Sequence, residues 1–411
     1  MDNSRIGSRL VNGNRRIGRW CMVVAGSAVV AGVMPQADAA PTAPISYRQT
    51  AVVHIPAPHG ALYGDIIFAD ADTGRVYFSD LANSTVDVID GRSNRLLAQV
   101  PGFTNGPNGV LVDGLGQIWA GDGAGAVRVL DARRPYRLVD AVPVGTATAD
   151  ELAYDPKDKI VAVTSPDAVS AADPTRPTPW VTLVDARPGA GGRHRILGRA
   201  LIPGATAGSI EQPQWDPRTS TFVEAVGATV DFPHGVVVRI DPREARVTSV
   251  LPISGNCSPR GLAVGVHHEA LLGCVDGGPA LMDLSTGEIV ARYDNTGACC
   301  ADEVWFNSAD GRYYAAEAGA TGPPPAPTLA PPAVMVIDAR SRHFVTDIAL
   351  GPDAGGFHQV SSLFRWAKVF VPEPDGLHIY SRVPTPGSPT RSAPRFRPVN
   401  STRKSELGDT S

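Results

Sequence analysis

Several short stretches place a carboxylate, carboxamide, guanidinium or imidazole directly before an apolar run. They are Asp65, Asn108, Asp150-Glu151, Glu211-Gln212, Arg260, Asp302-Glu303 and His358-Gln359. Oxygen donors of this kind, if brought together, can hold Ca²⁺ or a similar hard cation. Carboxylates crowded without a cation repel one another, and some then bind protons above their ordinary range. Beside a bound cation, a carboxylate can activate water. Asp65, Asp150, Asp302 and His358 are therefore candidate acid–base groups. Asn108, Glu151, Glu211 and Glu303 are candidate ligands for one divalent cation, with Ca²⁺ the expected ion. The plainer reading is that these groups cap strands and hold water.

Residues so far apart in sequence meet only in a repeating architecture, and the chain repeats. A polar residue, a short β-like run, an Asp/Asn/Gly turn and another short run recur seven times. Asp65, Asn108, Glu151, Glu211, Arg260, Glu303 and His358 open the units, spaced 43, 43, 60, 49, 43 and 55 residues. A period near 43 with four strands per unit predicts an all-β, seven-bladed β-propeller of four-stranded blades. The long gaps read as loop insertions, from Pro166 to Pro179 and from Gly319 to Pro332. The first strand of each blade lines the channel, so the residues before it converge on one mouth.

The seventh unit has three strands and ends near Arg382. An unpaired edge there would invite aggregation. The run from Gln49 to Ile55 reads as one strand that supplies the fourth and closes the ring. Trp119, Trp215, Trp305 and Trp366 read as packing between blades. His267-His268-Glu269 falls in the turn between the first two strands of the fifth unit and reads as solvated.

The chain has 411 residues with 37 basic and 41 acidic side chains, and 43 Gly and 37 Pro scattered between apolar runs. That composition suits many turns. Residues 1–39 read as an export signal. Arg5, Arg9, Arg15, Arg16 and Arg19 precede an apolar stretch from Trp20 to Met34, and Ala37-Asp38-Ala39 offers a cleavage site. Arg15-Arg16 leaves a twin-arginine route open. The apolar stretch is short for a membrane span, so no span is expected after cleavage. A periplasmic or secreted monomer is the expectation, with residues 383–411 as a Pro/Ser/Thr/Arg-rich disordered tail. The mature chain is mildly acidic and has no basic run before its tail, which speaks against nucleic-acid binding.

Cys257, Cys274, Cys299 and Cys300 remain after cleavage, an even count that favours disulfides in an exported chain. They are expected near one rim, paired between blades or as a vicinal Cys299–Cys300 link. A thiolate metal site or a reactive thiol is the alternative. The sequence lacks C-x-x-C-H, G-x-x-x-x-G-K, H-E-x-x-H and G-x-S-x-G. Neither an attached haem nor a bound nucleotide is expected.

The repeated third strands, such as Val86-Asp87-Val88-Ile89-Asp90 and Val334-Met335-Val336-Ile337-Asp338, resemble those of the YVTN-type propellers. These are exported bacterial seven-bladed proteins, and the resemblance covers roughly residues 45–382. It implies the same fold and leaves the activity open. Glu211-Gln212-Pro213-Gln214-Trp215-Asp216 is similar to the E-x-P-x-W-D stretch of the gluconolactonase/regucalcin family, and Pro107-Asn108-Gly109-Val110 to its P-N-G-L stretch. That resemblance implies that Glu211 and Asn108 are divalent-metal ligands, with a base from Asp65, Asp150 or Asp302. The family has six blades, where this chain has seven units. Two functions follow as expectations. One is a scaffold that binds a protein or small-molecule ligand through its rim loops and channel mouth. The other is a metal-dependent lactonase or related hydrolase at that mouth.

Overall fold

The computed structural model describes residues 45–383 except 58–59, 146–147, 171–172, 294–299, 319, 322–327, 352–353, 355–357 and 364–365. The expected export signal, Cys299 and the tail beyond Val383 lie outside the described residues. Seven four-stranded antiparallel sheets form the blades of a propeller. Their first strands are Gly64–Asp70, Val110–Val112, Leu152–Asp155, Ile210–Asp216, Pro259–Val264, Ala301–Asn307 and Ser361–Leu363. The ring closes as the sequence predicts. Ser46–Val53 pairs antiparallel with Gly376–Val383, Ser46 opposite Val383 and Val53 opposite Leu377. No described helix is long and apolar enough to cross a membrane.

The recurring Asp at the end of each third strand has a local cause. Asp90, Asp131, Asp185, Asp241, Asp283 and Asp338 each accept a hydrogen bond from the backbone N–H two residues on. This Asx turn reverses the chain into the fourth strand. The alternating apolar positions then face neighbouring blades. Seven buried clusters result, one at each seam from blades 1/2 round to 7/1. Apolar burial at about 25 cal/mol per Å² acts at every seam, so the ring is held continuously.

The two long insertions each contain a short hairpin. Val169–Ser170 pairs with Asp173–Pro177 in blade 3, and Ala320–Thr321 pairs with Thr328–Ala330 in blade 6. Both join a second strand to a third. By alternation of strand direction, they stand on the face where the first strands begin.

Within His267-His268-Glu269, His267 is exposed as expected, whereas His268 and Glu269 are drawn against neighbouring blades. His267 and His268 adopt φ of 58° and 63°, which turns the chain tightly. His268 Nε2 lies 2.9 Å from Asp216 Oδ2, and Arg239 Nη1 donates to the same oxygen at 3.0 Å. Glu269 is 1% exposed and paired with Arg342. The turn is thus an anchor that ties blade 5 to blade 4 on one side and blade 6 on the other. Solvent is displaced because neighbouring blades supply the counter-charges.

Candidate functional site at the channel mouth

In blades 1 to 6 the first strand opens with two residues where regular pairing allows one. The register slips between Gly64 and Ile67, Ile210 and Pro213, Pro259 and Leu262, and Ala301 and Val304. In blade 2, Gly121 bonds both Asn108 and Gly109, and in blade 3 Thr164 bonds both Asp150 and Glu151. Such a bulge re-aims side chains. It sorts the mouth residues into two tiers. Asp65, Asn108, Asp150, Glu211, Arg260 and Asp302 take the first bulge position. Ile66, Gly109, Glu151, Gln212, Gly261 and Glu303 take the second. His358 and Gln359 continue the series before the first strand of blade 7.

This sorting differs from the sequence reading by one residue in two blades. Asp150 and Asp302, not Glu151 and Glu303, are the equivalents of Asp65 and Glu211. The backbone N–H groups freed by the bulge are met by side chains. Ser79 Oγ accepts from Ile66 N at 2.7 Å, and Thr164 Oγ1 accepts from Glu151 N at 2.9 Å. Gln212 Oε1 reaches into two other blades, accepting from Leu262 N at 2.8 Å and Val304 N at 3.4 Å. Gly109 and Gly261 explain why blades 2 and 5 add no inner-tier side chain. A Cβ on Gly109 would lie 2.5 Å from Asp150 O, and one on Gly261 2.1 Å from Asp302 O.

The outer tier is acid-rich, with the Arg260 guanidinium and the His358 imidazole among the acids. Asn108 Nδ2 donates to Asp150 Oδ1 at 3.0 Å. Arg260 Nη1 donates to Glu211 Oε1 at 2.5 Å. His358 Nε2 lies 3.5 Å from Asp65 Oδ1, and Tyr63 packs edge-on against the imidazole at 5.9 Å. Burial and the Asp65 charge push Asp150 up to about 8. Glu211 is raised by burial and by Asp150, with Arg260 acting against them. Burial also raises Asp302, opposed by His358 and Arg260.

The inner tier is more deeply buried. Glu151 and Glu303 are 2% and 3% exposed, and their carboxyls hydrogen-bond each other. Both are raised well above the ordinary range, first by burial and then by neighbouring carboxylates. Glu151 Oε1 and Glu303 Oε2 have no partner among the described residues.

Behind them, in the seam of blades 3 and 4, Glu224 is fully buried with neither oxygen in a well-formed hydrogen bond. Burial and the Glu211 charge raise it, and the nearby Glu211 backbone N–H offsets this only in part. Sequence reasoning passed over Glu224. Its signal was an acid inside the apolar run Phe222-Val223-Glu224-Ala225-Val226. A second carboxyl pair was also missed. Asp80 and Asp87 in blade 1 are fully buried, and Asp87 is pushed up to about 8 by burial and by Asp80.

The structure thus brings all eight sequence-predicted site residues to one mouth. Among the described residues, no group of three or more His, Cys, Asp and Glu side chains is placed to hold a metal ion. Arg260 is paired with Glu211, and Asn108 donates its amide N–H₂ to Asp150. The Asn108 Oδ1 is buried and has no partner among the described residues.

Cys257 and Cys274 form a disulfide within blade 5, joining the approach to its first strand with the end of its second. The pairing is therefore not between blades, because the first and second strands are hydrogen-bonded neighbours and bring these ends together. Cys300 is also disulfide-bonded. Trp119 is buried at the seam of blades 2 and 3, Trp215 packs against the seam of blades 3 and 4, and Trp305 and Trp366 pack against the seam of blades 7 and 1, as expected; Trp215 and Trp305 also line the channel. No family model matches the chain, and no curated protein matches its sequence.

Proposed function

We propose that this chain is an exported, monomeric propeller that binds a small-molecule or protein ligand at its channel mouth, with the outer tier as the recognition surface. One observation carries this reading: polar outer-tier groups from all seven blades converge on one mouth, with acids in excess. Asp65, Asn108, Asp150 and Glu211 offer acceptors to a ligand's cationic or hydroxyl groups, and Arg260 offers a donor fork. The basic and apolar N-terminus supports export, as does the disulfide, since such bonds persist in oxidising compartments. The YVTN-like third strands point the same way.

A thermal-shift screen of polar small molecules and of extracytoplasmic proteins on the mature chain tests the reading. Binders whose shift is lost in Glu211→Gln and Arg260→Ala support it. A screen without binders, or binders indifferent to both variants, overturns it.

A second reading, a divalent-metal-dependent lactonase or related hydrolase, draws on the orphaned Asn108 Oδ1 and on the shared tier of Asn108 and Glu211. A cation there would have to displace Arg260 from Glu211. Asp65 or Asp150 would then stand beside it as base. Metal analysis of the purified chain, with melting curves before and after chelator, separates the two. A tightly held cation with loss of stability on removal favours the hydrolase, to be followed by a lactone and ester assay of Glu211→Gln. Absence of bound metal and of a chelator effect removes it.

A further inference from the structure

We propose that the channel lumen beneath the inner tier is a second site, which takes a small uncharged fused-ring aromatic molecule bearing a hydroxyl, through the face opposite the carboxylate mouth. The lumen encloses about 300 Å³. An apolar cavity of about 150 Å³ takes a benzene, so this one has room for a second ring. Glu151, Gln212, Glu303 and Gln359 build its closed end, and all four are more than nine-tenths buried. Pro156, in the turn after the first strand of blade 3, lines the lumen and is exposed. Access is therefore from the far face.

The walls specify the ligand. Phe68, Tyr154, Trp215, Trp305 and Phe306 come from the first strands of blades 1, 3, 4 and 6, line the lumen and stay partly exposed. Apolar surface left exposed in a concavity marks a place where a ligand sits. The rings are fixed in advance: Phe68 meets Trp305 edge to face at 5.6 Å, and Trp215 meets Phe222 at 5.1 Å. A flat aromatic guest extends such contacts, which favours it over an aliphatic body of the same size. Charge is selected against. Among the described residues no Lys, Arg or His lines the lumen, and its two acids, Glu151 and Glu303, are almost wholly covered. A charged guest of either sign would shed water without touching a counter-charge, whatever the protonation of that pair. Gln214, also in the wall, is partly exposed, and its carboxamide has no hydrogen-bond partner among the described residues. A carboxamide both donates and accepts, so it matches a hydroxyl.

Isothermal titration of the mature chain at neutral pH tests this, with 2-naphthol set against its saturated match decahydro-2-naphthol and its charged matches 2-naphthoate and 2-naphthylmethylamine. 2-Naphthol is expected to bind at a single site, about threefold or more tightly than the saturated alcohol and about tenfold or more tightly than either ion. Gln214→Leu, similar in size, weakens 2-naphthol by about threefold or more. Gln214→Trp, which fills the lumen, abolishes binding while the melting temperature holds. The exposed-surface control Glu244→Gln has no such effect. Should Gln214→Trp fold poorly, Gln214→Leu and the ligand series on the unaltered chain still decide. No binding of 2-naphthol at millimolar concentration, an ion or the saturated alcohol bound as tightly, many weak sites in place of a single one, or affinity unchanged in either Gln214 variant overturns the proposal.

Discussion

Glu151 and Glu303 belong to blades on opposite sides of the ring, yet their carboxyls hydrogen-bond across the channel. The contact exists because the bulge opening each first strand turns a second consecutive residue inward. Glycines at the same position in blades 2 and 5 keep those blades from filling the space. The two glutamates also belong to the two blades that carry hairpin insertions. A buried acid pair of this kind titrates as a unit, with one proton held strongly.

The first prediction concerns pH. Asp150, Glu151, Glu211, Glu303 and Glu224 all have raised proton affinity in the folded chain. Folded protein then holds more protons than unfolded chain between the ordinary carboxylate range and about 8, the value for Asp150. Stability is fully supported below the unfolded values and falls as pH rises through the folded ones. The Arg260 guanidinium, which faces the cluster, reduces this loss, and the Asp65 and Asp302 charges add to it. The melting temperature should drop by several degrees between about pH 5 and about pH 8.5. Asp150→Asn should flatten the profile. A melting temperature that rises over that window would contradict the cluster as described.

Glu224 gives a sharper test because it sits in an apolar seam without a well-formed hydrogen bond. Glu224→Gln keeps the shape and removes the titration. At about pH 8.5 the variant should be more stable than the wild type by roughly 1–3 kcal/mol, the scale of an unmet buried polar group. Near pH 5, where Glu224 is already protonated, the two should match. Urea melts at both pH values check this, and equal stability at pH 8.5 would refute it.

The fold was legible because its signals are local and repeated. An Asp ending each third strand and a turn residue after it suffice to mark six blades, and the incomplete seventh unit calls for the N-terminal strand. The tiers were not legible. Asp150-Glu151 and Asp302-Glu303 each offer two adjacent acids, and sequence period alone cannot say which one aligns with Asp65. The answer depends on a bulge whose partners, Ser79, Thr164 and Gln212, lie in other strands or other blades. His268 was misread for a similar reason, since Asp216 and Arg239 reach it from blade 4. Arg260 was placed at the mouth, but its hold on Glu211 depends on side-chain reach between blades.

The disulfide supplies a stability test independent of the carboxyls. Cys257 and Cys274 are 17 residues apart, both fully buried, in blade 5 beside the mouth. Closing a loop of this length should contribute about 3 kcal/mol through the unfolded chain. Cys257→Ala with Cys274→Ala should therefore lower the urea midpoint at every pH while leaving the pH profile's shape intact. An unchanged midpoint would show that this link is not part of what holds blade 5.

Arg260 decides whether the outer tier is a cation site or a completed ion pair. Its side chain is 43% exposed, so the pair with Glu211 is partly screened and worth little as stability. Its larger effect is on occupancy, since the guanidinium stands where a metal ion would use Glu211. Arg260→Met keeps the apolar stem and removes the charge. Glu211 then loses its guanidinium partner, while Asp65 keeps His358 and Asp150 keeps the Asn108 amide. In millimolar Ca²⁺ near pH 8, the variant's melting temperature should rise more than the wild type's. Near pH 5 the rise should vanish, because the raised carboxyls are protonated and poor ligands. A variant that ignores Ca²⁺ at both pH values would show that these oxygens are too far apart to share an ion, and would leave the outer tier as a surface for organic ligands alone.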